Sequence, residues 1–441
     1  METNERMSKR FWLLGLAGLI SAGLLVACGS NYNSSSNGLV LVGSQGSSVI
    51  QTFSFNLNNG HVASVANSTN DTGNQTCILN GSPASMVMHP AGTYGYVIFN
   101  KSSQCPNATQ FGIAVFQVKS DGTASQVGSL VSDPNPVSLA VDAAGKFLFV
   151  AEGIDSEPSA PNSAPCPQTQ AQYGICVYAI GSGGTLTPAG GASLSGLASQ
   201  SPNIAAVAPT PTVFPGIGIN GTQNSVCSVP GNSPPTSQFL YAVDSNNYVV
   251  WEFSVDTTTG ALGTPQGVST VPSFVTDAVP VAVAVDPCDR FLYVSGSLHN
   301  KINAYTICTT VIANGICPFA NGHLNDVSGS PFAVSGSANG LGPLVVDPYG
   351  NNVYVLGTLS NTLSGFKISP VSGSLTALTP ATVATGANPK SIAIRGDDNW
   401  MFVTNYQSAS VSQYSITPAT GALSVLSTIT TDNYPFGVAV K

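Results

Sequence analysis

The sequence predicts an all-β chain folded as a seven-bladed β-propeller with four-stranded blades. Three observations predict it. A motif recurs through the body of the chain, every copy carries strand chemistry, and the last copy ends on a strand with nothing after it. The motif runs P-x-x-x-A-V-D-P-x-G, then an aromatic F-L-Y-V segment, a variable loop, V-x-x-Y-x-I, and finally T-G-x-L-T. Its clearest copies span 343–378 and 389–426, and Pro343, Pro389 and Pro435 follow one another at intervals of 46 residues. A repeat of roughly 40–45 residues that holds four strands is the pattern of a propeller blade.

Each segment reads as a strand. PVAVAVDP and FLYVSG are β-branched and aromatic, bounded by Pro, Gly and Asp at the turns. Naming the strands A to D, A-type strands fall near 85–88, 137–141, 203–207, 281–285, 344–346, 391–394 and 436–440. B-type strands begin at Leu39, Tyr96, Phe147, Phe239, Phe291, Val353 and Met401. The mature chain thus opens on a B strand and closes on an A strand, Phe436–Val440. The expected ring closure pairs that last strand with the blade that starts at Leu39, because an open blade exposes unpaired strand edges.

Composition agrees. Hydrophobic residues make up 43% of the 441 residues and charged residues 7%, with 46 Gly and 30 Pro. That is enough apolar material for a core, unlike a disordered chain. Once residues 1–27 are removed, the net charge is −9. So few cations exclude nucleic acid as a partner and give no polybasic route to anionic lipid.

The first 27 residues read as a signal peptide. Lys9 and Arg10 precede an apolar run, 11–27, which ends Leu25-Val26-Ala27-Cys28. This ending resembles the bacterial lipobox, which implies that Cys28 is lipidated and anchors the protein to a membrane. Residues 28–38 then form the lipidated Cys and a flexible tether, and 39–441 the propeller. Gly29 rather than Asp after the anchor points to the outer membrane, if the cell has one.

Eight further cysteines in a secreted chain suggest disulfides. The blade register favours Cys77–Cys105, Cys166–Cys176, Cys227–Cys288 and Cys308–Cys317. There is no CxxC and no Cys–His cluster, so neither a metal nor a cofactor is expected. The acidic trio Glu152, Asp155 and Glu157 lacks the spacing of a calcium loop.

In a propeller the D–A and B–C loops surround one end of the central channel, and here they carry the insertions. The charged residues on them are Glu152, Asp155, Glu157, Asp277, His299, Lys301 and Lys390. Hydrolysis of a lactone needs a base and an oxyanion donor, for which Glu152 or His299 and Lys390 are the candidates. Each also has a plainer reading, as a solvated or turn-capping side chain. Arg290 and Arg395 fall at A–B turns on the other end. His89, Asp142, Asp286 and Asp347 follow strand A and read as turn residues, while His61 and His323 read as surface residues.

The Phe402–Asn405 segment FVTN, with the P-x-x-x-A-V-D-P and Y-x-I…T-G-x-L-T copies, resembles the lactonase-type seven-bladed propellers, or YVTN-repeat proteins. The resemblance spans nearly all of 39–441. It implies the propeller fold and, for some members, 6-phosphogluconolactonase activity. A phosphorylated substrate wants several cations, preferably Arg, which this chain does not put near the loops. The expectation is therefore a monomeric, lipid-anchored, extracytoplasmic module binding a glycan, peptide or protein. The alternative is a hydrolase of a sugar lactone.

Overall fold

A computed structural model describes residues 37–47, 49–65, 82–100, 112–133, 136–153, 174–194, 203–210, 238–268, 279–308, 322–335 and 340–441. The signal peptide, Cys28, Asp155, Glu157, Asp277 and the 101–110 insertion lie outside these residues. Within them the chain folds as seven antiparallel sheets, and the order of strands in each is that of a propeller blade.

Blade 7 shows the pattern. Its strands A to D are Pro389–Ile394, Trp400–Asn405, Ser410–Ile416 and Leu423–Thr430. The B strands are buried along their whole length, as in FLYVSG of blade 5 and WMFVTN of blade 7. A B strand lies between A and C in its own sheet and between two neighbouring sheets, so it reads as a continuous apolar run. Outer strands are more exposed, as is Leu423–Thr430, which is buried only at Leu423 and Ile429.

Blade 1 is built from both ends of the chain. Pro435–Val440 pairs antiparallel with Asn37–Ser44, with Val40 opposite Val440 and Val42 opposite Val438. The last strand is thus strand A of the first blade, as the sequence predicts. Apolar packing closes the same seam: Val40, Phe53 and Phe55 of blade 1 bury against Trp400, Phe402 and Val411 of blade 7. Each neighbouring pair of blades has such a core, and the inner strands touch in ring order.

The conserved-looking spacing of the motif has a physical cause at two points. The Asp after strand A caps the A–B turn. The Asp142 carboxylate accepts from the amides of Lys146 and Phe147, and Asp347 accepts from Tyr349 and Asn351. His89 fills the same place in blade 2, its Nδ1 accepting from Ala91 N.

The second point joins blades. Buried tyrosines of strand B donate to the glycine carbonyl of the next blade's C–D turn: Tyr241 to Gly322 at 2.6 Å, Tyr293 to Gly373 at 3.0 Å and Tyr354 to Gly421 at 2.7 Å. The turn must be glycine. Gly373 has φ +74° and a Cβ there would lie 2.5 Å from Phe291.

Arg290 adds a further tie at this end. It pairs with Asp286 at 2.6 Å and donates to Gly350 O of blade 6 at 3.1 Å. His323 is half-exposed, as a surface residue should be, and its Nδ1 lies 3.3 Å from Glu252 of blade 4.

Candidate functional site

Strands A and C run away from the end that holds the D–A and B–C loops, and strands B and D run towards it. The structure therefore places Glu152, His299, Lys301 and Lys390 at this end, the mouth, and Arg290 and Arg395 at the other. Glu152 ends strand B of blade 3, His299 lies in the B–C loop of blade 5, and Lys390 stands on strand A of blade 7. No two of these blades are neighbours. Sequence position placed the three at one mouth but did not bring them together.

Glu152 is 6% exposed. Its carboxylate lies with those of Asp133 and the sulfur of Cys176 within 4.8 Å. Cys176 is disulfide-bonded, so its sulfur offers no thiolate to a metal. Tyr178 donates to Asp133 at 2.9 Å, and burial, then the Asp133 charge, pushes the tyrosine's pKa up.

Register explains the position of Glu152. It pairs with Pro136 at the start of strand A, just as Asp244 pairs with Ile204 and Asn405 with Pro389. At that place a polar side chain holds the mouth loops. Asp244 accepts from the amides of Asn203, Asn246 and Asn247, and Asn405 accepts from Gly386. Glu152 occupies the same register position in blade 3.

His299 is exposed, in a left-handed backbone conformation at φ +67°. Lys301 opens strand C of the same blade, opposite Ala333.

Lys390 has company that sequence reasoning missed. Its ammonium lies over the Tyr406 ring, 5.8 Å from the centroid. Tyr406 packs against Tyr434 at 4.9 Å and meets Phe436 edge-on at 6.1 Å. The four half-buried residues come from three segments. Lys390 is on strand A of blade 7, Tyr406 is on its B–C loop, Tyr434 immediately precedes strand A of blade 1 and Phe436 is its second residue. Burial pushes the Lys390 pKa down. Tyr434 and Asn388, each just before the proline of an A strand, have φ +59° and +54°.

The repeat itself carried a signal. After the corresponding prolines, other copies have Ala84, Val137 and Val281, where these two have Lys390 and Phe436.

The cysteines are described in part. Cys176, Cys288 and Cys308 are each disulfide-bonded. Three is an odd number, so at least one bond reaches a cysteine outside the described residues. Cys77, Cys105, Cys166, Cys227 and Cys317 lie there.

Comparison with known proteins follows the fold. The family model described as lactonase, 7-bladed beta-propeller, matches residues 320–440. No curated protein matches the chain.

Among solved structures, a putative 6-phosphogluconolactonase from Bacteroides fragilis superposes with a TM-score of 0.64 at 17% identity, over 93% of this chain and 99% of that one. The periplasmic gluconolactonase PpgL of Pseudomonas aeruginosa gives 0.65 at 17%, over 92% and 99%. A putative 6-phosphogluconolactonase from Bacteroides uniformis gives 0.66 at 15%, over 92% and 100%. At such identities the likeness is one of fold. By the family pattern in residues 320–440 and by the fold of the whole ring, this chain resembles the lactonase-type seven-bladed β-propellers.

Proposed function

We propose that the chain is an extracytoplasmic lipoprotein, anchored through Cys28, whose propeller binds a ligand at its mouth between blades 7 and 1. The observation that carries this reading is the convergence of Lys390, Tyr406, Tyr434 and Phe436. Rings half-open to solvent beside a cation offer an apolar platform and a charge, which suits a small polar molecule or the end of a glycan or peptide. The proposed disulfides, Cys77–Cys105, Cys166–Cys176, Cys227–Cys288 and Cys308–Cys317, would pin the insertions around the ring.

A second reading, hydrolysis of a sugar lactone, is favoured by the family match over 320–440 and by the activities for which the similar structures are named. Lys390 would then steady the oxyanion. The base is harder to supply, since Glu152 is buried and sits four blades round the ring in one direction and three in the other.

One experiment separates the readings. The purified protein is screened by thermal shift against neutral and acidic sugars, sugar lactones and short peptides, while lactone consumption is followed in the same samples. Binding predicts a ligand that raises the melting temperature, no lactone turnover, and loss of the shift in Tyr406→Ala. Turnover abolished by Lys390→Met or Glu152→Gln would replace the binding reading with the hydrolase.

A further inference from the structure

We infer that the Lys390 cluster is a subsite for a sugar ring carrying a single carboxylate, such as a hexuronate. This rests on the mouth-binding reading above and names the chemistry of its ligand.

Among the described residues Lys390 makes no hydrogen bond and no ion pair; its near neighbour is the Tyr406 ring. A half-buried cation in that setting is partly stripped of water, and the depressed pKa has the same cause. The acid closest in sequence to the aromatic group, Asp432, is engaged elsewhere, accepting from Ser47 Oγ at 2.9 Å. A ligand carboxylate would supply the missing partner and form a charge-assisted hydrogen bond.

The number of charges follows from the number of cations. Phosphate carries nearly two charges and is held by several donors, with Arg preferred. Both described arginines, Arg290 and Arg395, sit at the far end, committed to Asp286 and Asp397. One lysine matches one carboxylate. Tyr406 and Tyr434 are tilted by 37° with centroids 4.9 Å apart, and Phe436 stands at 89° to Tyr406. An apolar wall of this kind takes the C–H face of a pyranose, while the tyrosine hydroxyls serve its hydroxyl groups.

The test is calorimetric titration of the purified protein with D-galacturonate, tri-galacturonate, D-galactose and inorganic phosphate. The inference predicts that galacturonate binds at least about tenfold more tightly than galactose, the difference expected of one charge-assisted contact. Lys390→Met should bring the two affinities together, and Lys390→Arg should keep them apart. Tighter binding of the trimer identifies an acidic glycan as the source, and equal binding identifies the free sugar acid.

Equal affinity for galacturonate and galactose in the unaltered protein overturns the inference. So does a preference that survives Lys390→Met, or phosphate binding more tightly than galacturonate. If neither sugar binds while another ligand from the screen does, this inference fails and the mouth-binding reading stands. If nothing binds, both fail. Should Lys390→Met not fold, the preference of the unaltered protein and of Lys390→Arg decides.

Discussion

Two aspartates stand where other blades place glycine, and they should make the protein less stable as pH rises. In the A–B turn, Gly92, Gly145 and Gly350 have φ of +66°, +69° and +67°. Blades 5 and 7 have Asp289 and Asp398 there, at +55° and +57°. Asp398 is 1% exposed and, among the described residues, neither carboxylate oxygen has a hydrogen-bond partner; Asp289 is 4% exposed and its Oδ1 has none there.

Burial and neighbouring charge, from Asp286 for Asp289 and from Asp347 and Asp397 for Asp398, push both pKa values up to about 8. In the unfolded chain each would titrate near ~3.9. Between these values the folded state holds protons that the unfolded state has lost. Their contribution is greatest below about pH 4 and is lost as pH rises towards 8.

Each group costs about 1.4 kcal/mol per pH unit, so the pair removes up to about 5 kcal/mol between pH 5 and 7. That is a large part of an ordinary folding free energy of about 5–15 kcal/mol. Urea unfolding at pH 5, 6 and 7 reads it directly. The midpoint should fall with rising pH at unchanged slope. Asp289→Gly/Asp398→Gly should fall less steeply with pH and be more stable than the parent at pH 7, the remaining slope coming from other carboxyls that burial raises, such as Asp142, Asp347 and Glu252. A midpoint that is flat or rises from pH 5 to 7 in the unaltered protein would refute the reasoning.

Three other outcomes follow from the same geometry. Deleting 435–441 removes the strand that pairs with Asn37–Ser44, together with its buried Val438 and Ala439, so circular dichroism melting should show the ring destabilised as a whole; an unchanged melting temperature contradicts the closure. Tyr354→Phe strips the Gly421 carbonyl of its 2.7 Å donor between blades 6 and 7 and should cost about 1–2 kcal/mol in urea unfolding, without affecting ligand binding at the far end. Peptide mapping without reductant should recover Cys176 with Cys166, Cys288 with Cys227 and Cys308 with Cys317; any other partner rejects the proposed pairing.

The fold was legible because its signals are local. Strand B announces itself by apolar runs such as FLYV, and the turns by Asp, Pro and Gly at fixed offsets. Ring closure needed only the observation that the last copy stops after strand A. The mouth was less legible. Lys390 could be placed there by register, with Tyr406 on its own blade, but Tyr434 and Phe436 join them across the seam between the last blade and the first. That neighbourhood exists only once the ring is closed.

Glu152 illustrates the converse. A carboxylate at the end of a strand in a loop-rich face suggests chemistry, whereas its register partner Pro136 gives it the position from which Asp244 and Asn405 hold the mouth loops of their own blades. Asp289 and Asp398 were readable as departures from D-P-x-G, yet their burial is set by packing on the preceding blade, as at Gly350, whose Cβ position lies 2.5 Å from the Asp286 carboxylate.

The central claim is that the mouth between blades 7 and 1 is where this propeller meets its ligand. Hydrogen–deuterium exchange of the purified protein, with and without a ligand that raises its melting temperature, tests that most directly. The account predicts slowed exchange in residues 386–409 and 431–437, which carry Lys390, Tyr406, Tyr434 and Phe436. Protection confined to the loops around Glu152 or His299, with these two segments unchanged, would contradict it.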